Sequence, residues 1–154
     1  MLRKLLPFCV FLFFGTTNIS AQQIGDFSFS ALPQDFQLYP RKSTNEATIS
    51  IVGKSTKNTY SDIGFFLLRN GKLAAQSKQK LTFSGNSAPF TQKFQIKAEL
   101  AEYGVEVYAY TGKDSTKITS RTNLVAGDVY FVTGQSNAWT GGIDETVYMK
   151  EWVR

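Results

Sequence analysis

The 154-residue chain contains no histidine and only one cysteine, Cys9. Without histidine, it lacks the side chain that most often acts as a general base near neutral pH. Cys9 lies in an N-terminal segment that we expect to be cleaved, so the mature protein would contain neither a disulfide nor a thiolate metal site. We therefore expect no metal and no organic cofactor, and a fold that is stabilised by packing alone.

Long hydrophobic runs are also missing, apart from one close to the N-terminus. The basic residues Arg3 and Lys4 precede an apolar run over residues 5–14, and Ala21 closes the short polar stretch that follows. This order is typical of a secretory signal peptide and predicts cleavage after Ala21. A membrane anchor is the alternative, but the run is shorter than the roughly 20 residues that span a bilayer. We expect residues 1–21 to be a signal peptide and the protein to be secreted or periplasmic, with no membrane span after cleavage.

Acidic residues are outnumbered by basic ones, and the formal net charge is +5. The lysines are spread among predicted strands and turns, which is typical of solvated strand faces and protected sheet edges. A protein that binds nucleic acid concentrates its basic residues on one face instead. We expect no nucleic-acid partner. The scattered lysines are Lys54, Lys57, Lys72, Lys78, Lys80, Lys93 and Lys97.

Short alternating patterns fill the chain from residue 22 to residue 123, and no helical pattern of any length is evident there. The predicted strands span residues 35–41, 46–53, 62–69, 72–80, 90–98, 100–110 and 116–123. Asn70-Gly71 separates two of them directly, which is the strongest short signal for a β-hairpin. About seven short strands with turn chemistry between them predict a mostly β protein with an antiparallel β-sandwich over residues 22–123.

Leu100-x-x-Tyr103-x-Val105-x-Val107 resembles the tyrosine-corner segment of fibronectin type III and immunoglobulin-like domains. In those domains the tyrosine hydroxyl bonds to the backbone just upstream and holds the loop that enters the strand. The resemblance implies an immunoglobulin-like sandwich and a structural role for Tyr103.

The pattern changes at Leu124–Gly127, where we predict a domain boundary. Val129 to Val132 is a wholly apolar run, as expected of a strand that is covered on both faces. Gly134 allows a sharp turn after this strand, which would present Ser136 at the carboxyl end of a sheet. Ligands bind at that edge in open α/β sheets. Ser136 is therefore a candidate nucleophile.

Gly127-Asp128, an apolar strand and then Gly134-Gln135-Ser136-Asn137 resemble the opening of the SGNH (GDSL-like) hydrolases. Within that family, the sialate O-acetylesterase and acetylxylan-esterase branch is the most similar. The resemblance implies that residues 124–154 begin an α/β domain of that type. It also implies that Ser136 is the nucleophile and that its backbone N–H is one oxyanion-hole donor.

The resemblance gives the other motif residues supporting roles. Gly134 matches the turn, Gln135 and Asn137 match positions that shape the loop, and Asp128 matches a structural position at the start of the strand. The family's later Asp-x-x-His segment has no counterpart in these residues. A serine hydroxyl is a poor nucleophile without a neighbouring base, and Trp139 occupies the position that an S-x-x-K arrangement would need. We expect an inactive chain from a truncated gene, a frameshift or a fragment.

Three hypotheses for function follow. The first is the N-terminal fragment of a secreted carbohydrate O-acetylesterase, whose partner is an acetylated sialic acid or polysaccharide. The second is a non-catalytic β-sandwich module that binds carbohydrate or a partner domain. The third is a free-standing adhesive sandwich in which Ser136 is a turn residue. Several aromatic residues are candidates for stacking on sugar rings: Tyr39, Tyr60, Tyr108, Tyr110 and Trp139.

Overall fold

A computed structural model describes residues 21–42 and 45–129, and these residues form strands, turns and loops without a helix. In chain order, the strands of this part are β1 (Gln22–Ile24), β2 (Phe27–Ala31), β3 (Leu38–Pro40), β4 (Glu46–Ser55), β5 (Asp62–Arg69), β6 (Lys72–Lys80), β7 (Ala88–Lys97), β8 (Tyr103–Thr111) and β9 (Asp114–Gly127).

The strands are arranged in two sheets with the orders β1-β2-β4-β7 and β3-β9-β8-β5-β6. Neighbouring strands run antiparallel, except that β3 runs parallel to β9. The sheets face each other across one core, in which the rings of Phe65 on β5 and Phe90 on β7 lie 5.9 Å apart. The prediction of a mostly β, sandwich-like protein is confirmed at this level.

Alternation along the strands supplies the core. On β8, Val105, Val107 and Ala109 are buried, as their shared face in the sequence predicts. At the centre, Phe90 contacts aromatic rings from both sheets, and full burial of each such side chain contributes about 1.5–3 kcal/mol. Its ring partners are Phe27, Phe29 and Phe65.

The hairpin between β5 and β6 is formed as predicted. Asn70 and Gly71 have φ values of 49° and 74°, the left-handed conformation that a two-residue hairpin turn requires. Arg69 pairs with Lys72 on either side of the turn. The bounds of both strands agree with the prediction.

The N-terminal part differs from the prediction. Residues 22–31 have the composition of a polar lead-in, yet they form β1 and β2 and bury Phe27 and Phe29. The strand predicted over residues 35–41 is confined to β3, because Phe36 adopts a left-handed φ of 63° in a turn closed by a hydrogen bond from the Gln37 N–H to the Gln34 carbonyl. Two phenylalanines alternating with serines were the available signal for β2.

Strand β9 is longer than expected and passes through the predicted boundary between residues 123 and 124. A bulge near Asn123, with φ of 57°, shifts the register against β8. Thr119 points inward before the bulge, and Leu124 and Ala126 point inward after it. The apolar run that suggested a new domain thus completes the core of the sandwich. Residues 130–154, which carry most of the predicted second unit, lie outside the described residues.

Candidate functional site

The predicted catalytic motif follows the end of β9 in the sequence. Of its members, Gly127 and Asp128 lie in the described part of the chain. The other motif residues lie outside it: Gly134, Gln135, Ser136 and Asn137.

Asp128 forms an ion pair where the chain leaves the sandwich. The Arg41 Nε–H donates to Asp128 Oδ1 at 2.8 Å, and the Arg41 backbone N–H donates to the Gly127 carbonyl at 2.9 Å. The two side chains are 42% and 36% exposed, so water screens their attraction. Together with the parallel pairing of β3 with β9, these two bonds fix the backbone at the end of β9. We refer to Arg41, Gly127 and Asp128 as the exit clamp.

A cavity of about 200 Å³ lies beside the exit clamp. Leu38, Leu100 and Val125 give it an apolar lining, with Asp128 at one side. The Leu100 side chain is 80% exposed. Among the described residues, the lining includes Glu99 but no serine, lysine or arginine. The described part of the cavity therefore offers an apolar surface and no nucleophile.

A second polar cluster surrounds Tyr103 at the same end of the sandwich. The Tyr103 hydroxyl accepts a hydrogen bond from the Lys97 backbone N–H at 3.2 Å and donates to Glu99 Oε1 at 2.7 Å. Arg69 Nε–H donates to the same carboxylate oxygen at 2.8 Å. The predicted bond between the Tyr103 hydroxyl and the upstream backbone is confirmed.

The charges of this cluster suit a structural role. The hydrogen bond from Arg69, followed by that from Tyr103, lowers the pKa of Glu99 to about 2 from its ordinary 4.5. Burial, and then the Glu99 carboxylate, raise the pKa of Tyr103. Glu99 is therefore anionic and Tyr103 neutral over the physiological range, and neither is poised to exchange a proton in catalysis.

A third feature is an aromatic strip on the solvent side of the five-stranded sheet. Phe66, Tyr108 and Tyr110 alternate with core residues on β5 and β8, and all three are half-buried. The rings of Phe66 and Tyr108 meet edge to face, with centroids 5.3 Å apart. Gly64 lies between the strip residues, opposite Tyr108 in the register. We call Phe66, Tyr108 and Tyr110 the outer aromatic face.

Charged groups border the outer aromatic face on both sides. Glu106 accepts hydrogen bonds from the Lys117 ammonium at 2.7 Å and the Tyr108 hydroxyl at 3.0 Å. The Lys117 bond is the main reason why the pKa of Glu106 lies below its ordinary value. On the other side, Lys78 Nζ is 4.0 Å from the centre of the Tyr110 ring and 3.9 Å from Asp62 Oδ2.

The sequence therefore indicated two members of this face and missed the third. Tyr108 and Tyr110 were candidates for stacking, whereas Phe66 was hidden in a strand that looked apolar throughout. What identifies Phe66 as outward-facing is its position between Phe65 and Leu67, which are both buried. The alternation of β5 thus marks Phe66 as an outward aromatic residue.

The other candidate aromatics lie elsewhere. Tyr39 is half-buried on β3, and burial raises its pKa to about 12. Tyr60 packs against Phe27 with ring centroids 5.2 Å apart. Trp139 lies outside the described residues. Tyr39 and Tyr60 thus contribute to the packing of the sandwich rather than to the outer aromatic face.

Within residues 21–42 and 45–129, no group of three or more His, Cys, Asp or Glu side chains is arranged to hold a metal ion. No helix long and apolar enough to cross a membrane occurs in that same part.

Comparison with protein-family models, curated proteins and solved structures found no match to this chain.

Proposed function

We propose that this chain is the N-terminal part of a secreted carbohydrate O-acetylesterase. In this proposal the two-sheet part is an immunoglobulin- or fibronectin III-like leader domain, and the following segment opens an SGNH-type α/β domain. The observation that carries the proposal is Gly134-Gln135-Ser136-Asn137, a few residues after the last strand of the leader domain. The signal-like segment over residues 1–21 supports secretion.

The strand order supports the immunoglobulin-like reading. Strands β2, β4 and β7 follow the A-B-E order, and β9, β8, β5 and β6 follow the G-F-C-C′ order of variable-type domains. Tyr103 begins β8, the counterpart of strand F, and bonds to the backbone six residues upstream. That is the position and the bond expected of a tyrosine corner.

The exit clamp supports the link between the two domains. It holds Gly127 and Asp128, the first two residues of the predicted motif, by one ion pair and one backbone hydrogen bond. The structural role that the resemblance gives Asp128 is compatible with this ion pair.

The chemistry of the proposal is acyl transfer. Ser136 attacks the acetyl carbonyl carbon while a base takes its hydroxyl proton. The bond between that carbon and the sugar oxygen then breaks, and the base gives the proton to the sugar oxygen as the acyl-enzyme forms. Water then attacks the acyl-enzyme and releases acetate. The Ser136 backbone N–H would stabilise the oxyanion. In this proposal the base is the histidine of the family's Asp-x-x-His segment, which these 154 residues do not contain.

The test is to express the natural reading frame, including whatever follows codon 154, and to measure acetate release from acetylated xylan and from O-acetylated sialic acid. We expect turnover that Ser136→Ala reduces by about 10³-fold or more. Ser115→Ala, at an exposed serine of β9, is the matched control and should leave turnover unchanged. Turnover that persists in Ser136→Ala would overturn the proposal, as would a complete reading frame without an Asp-x-x-His segment.

A non-catalytic carbohydrate-binding module is the alternative function. The observation that favours it is the outer aromatic face, which brings two of the candidate stacking tyrosines together with Phe66. The two proposals are compatible, because a leader domain of a carbohydrate esterase can also hold the polymer.

A further inference from the structure

We propose that the outer aromatic face binds the sugar rings of a neutral polysaccharide by stacking. The inference takes from the proposed function only the class of ligand, because the esterase and its non-catalytic alternative both act on carbohydrate. It assigns the binding to Phe66, Tyr108 and Tyr110 on the five-stranded sheet, a surface that takes no part in the predicted catalytic motif.

Gly64 is what allows the three rings to form one surface. A Cβ atom at Gly64 would lie 2.8 Å from Tyr110 Cε2 and 3.4 Å from Phe66 Cε2. The first distance is shorter than any normal van der Waals contact, so a side chain at residue 64 would displace the Tyr110 ring. Because Gly64 has no side chain, the Tyr110 ring can lie against the backbone of β5 with the edge of Phe66 nearby. Tyr108 contacts Phe66 edge to face.

The groups around the rings match the chemistry of a pyranose. A sugar ring presents apolar C–H groups on its faces and hydroxyl groups around its rim. Aromatic rings accept the first, and convergent polar groups fix the orientation through the second. The face provides the Tyr108 hydroxyl, the Glu106 carboxylate and the Lys117 ammonium, all within one hydrogen-bonded group.

The charges favour a neutral polymer over a polyanion. Lys117 and Lys78 each lie beside a carboxylate, with N–O distances of 2.7 Å to Glu106 and 3.9 Å to Asp62. Lys80, opposite Asp62 in the register, adds one more positive charge at the rim. Polyanions are held by several uncompensated basic groups, and this surface lacks such a cluster among the described residues.

The size and place of the face also favour a sugar over a protein partner. A stable protein interface buries about 800 Å² on each side, whereas this surface consists of three half-buried rings bordered by ion pairs. The outer aromatic face lies toward the Thr111 end of β8, where Thr111 pairs with Asp114. The chain leaves β9 at the other end, beside Tyr103 and Leu124. The exit clamp therefore does not obstruct the face.

The first experiment is native affinity electrophoresis of the full chain in gels that contain hydroxyethyl cellulose, xylan or galactomannan. We expect retardation by at least one neutral polymer. Tyr110→Ala and Phe66→Ala should weaken it by about tenfold, as when one aromatic anchor is removed from an interface. Tyr110→Phe keeps the ring and should retain binding. Phe36→Ala removes a 64% exposed aromatic residue away from the face and is the matched control.

The second measurement needs no variant and therefore does not depend on how well the variants fold. Addition of a neutral oligosaccharide to the wild-type chain should shift the NMR signals of the Phe66, Tyr108 and Tyr110 rings before those of other residues. Shifts centred elsewhere would overturn the proposal. So would the absence of retardation by every neutral polymer, equal retardation of Tyr110→Ala and wild type, or binding confined to acidic polymers and abolished by salt.

The outcomes separate this inference from the proposed function. Binding is measured on a chain without histidine and again with Ser136→Ala, so it does not depend on catalysis. Retained binding without esterase activity in the natural reading frame would refute only the proposed function. Esterase activity without binding to the outer aromatic face would refute only this inference.

Discussion

At the scale of single residues, the Tyr103 hydroxyl illustrates how one polar atom can organise a corner of the fold. It accepts from the Lys97 N–H and donates to Glu99, while the tyrosine ring is buried with 4% exposure. Tyr103→Phe should therefore lower the free energy of unfolding by about 1 kcal/mol, the net value of a typical lost hydrogen bond. Urea denaturation measures this change.

Tyr110→Phe is the control for that prediction, because the hydrogen bonds of the described residues that involve Tyr110 go to its backbone carbonyl and not to its hydroxyl. We expect a change below about 0.5 kcal/mol, as for an ordinary surface substitution. Equal losses for the two variants would show that the corner hydroxyl is not special.

The lowered pKa of Glu99 predicts how the free energy of unfolding depends on pH. Its pKa is about 2 in the folded protein and 4.5 ordinarily, so the folded state favours the anion. Its contribution is therefore fully present above about pH 5 and is lost as the pH falls toward 2. Glu99→Gln should be less stable than wild type at pH 6, and the difference should shrink toward zero near pH 2.

Glu46→Gln, at an exposed carboxylate of β4, is the control for the pH series. The measurement is the urea midpoint of each variant at pH 6, 4 and 2.5. A gap between Glu99→Gln and wild type that is as large at pH 2.5 as at pH 6 would contradict the assignment.

At the scale of strands, Gly53 marks a close approach between β4 and its neighbours. A Cβ atom there would lie 2.6 Å from the Ser28 carbonyl oxygen and 2.7 Å from Phe90 Cζ. Because one neighbour is backbone, it cannot swing aside. Gly53→Ala should cost about 1–3 kcal/mol of stability, as overpacking typically does. Thermal and urea unfolding would measure it.

Gly127→Ala is the matched control, since nothing lies within 4 Å of the added Cβ and its φ is ordinary. It should change stability by less than about 0.5 kcal/mol. A neutral Gly53→Ala would mean that β2 and β4 lie farther apart than described.

The strands also explain how much the sequence could predict. Local signals sufficed for the β5–β6 hairpin, where Asn70-Gly71 specifies the turn, and for Tyr103, whose spacing from Val105 and Val107 defines an inward face. They failed at β9, because Leu124-Val125-Ala126 looks continuously apolar. Val125 faces away from the core there and pairs with Leu38 of β3. That pairing joins residues far apart in the sequence, so no local pattern could reveal it.

The candidate site was predictable in the same uneven way. Asp128 was expected to be structural, and its ion pair with Arg41 depends on a contact 87 residues away in the sequence. The outer aromatic face required both the outward position of Phe66 and the gap at Gly64, which only the strand register brings together. The roles of Ser136 and its neighbours remain predictions from their resemblance to a known motif.

At the scale of the whole molecule, the end of β9 decides where the sandwich is complete. Leu124 is fully buried and Ala126 nearly so, and among the described strands β3 pairs with the last residues of β9 alone. A chain of residues 22–129 should therefore unfold cooperatively. A chain of residues 22–123 should be less stable by at least about 2–5 kcal/mol, the cost of emptying one buried leucine site.

Both chains lack tryptophan, because Trp139 and Trp152 lie beyond residue 129. Urea denaturation followed by far-UV circular dichroism would therefore measure this difference in stability. Leu124→Ala in the longer chain is the point-mutation counterpart and should reproduce most of the loss. Equal stability of the two truncated chains would place the boundary of the domain at residue 123 after all.

In the proposed function, Ser136 becomes a nucleophile when the natural reading frame supplies its base. The most direct measurement is to treat the secreted product of that frame with a fluorophosphonate and to map the modified peptide by mass spectrometry. We predict a label on Ser136 that is absent from Ser136→Ala, and no comparable label on the 154-residue chain, which has no histidine. A product that folds but carries no label at Ser136, or carries it on another serine, would contradict the claim.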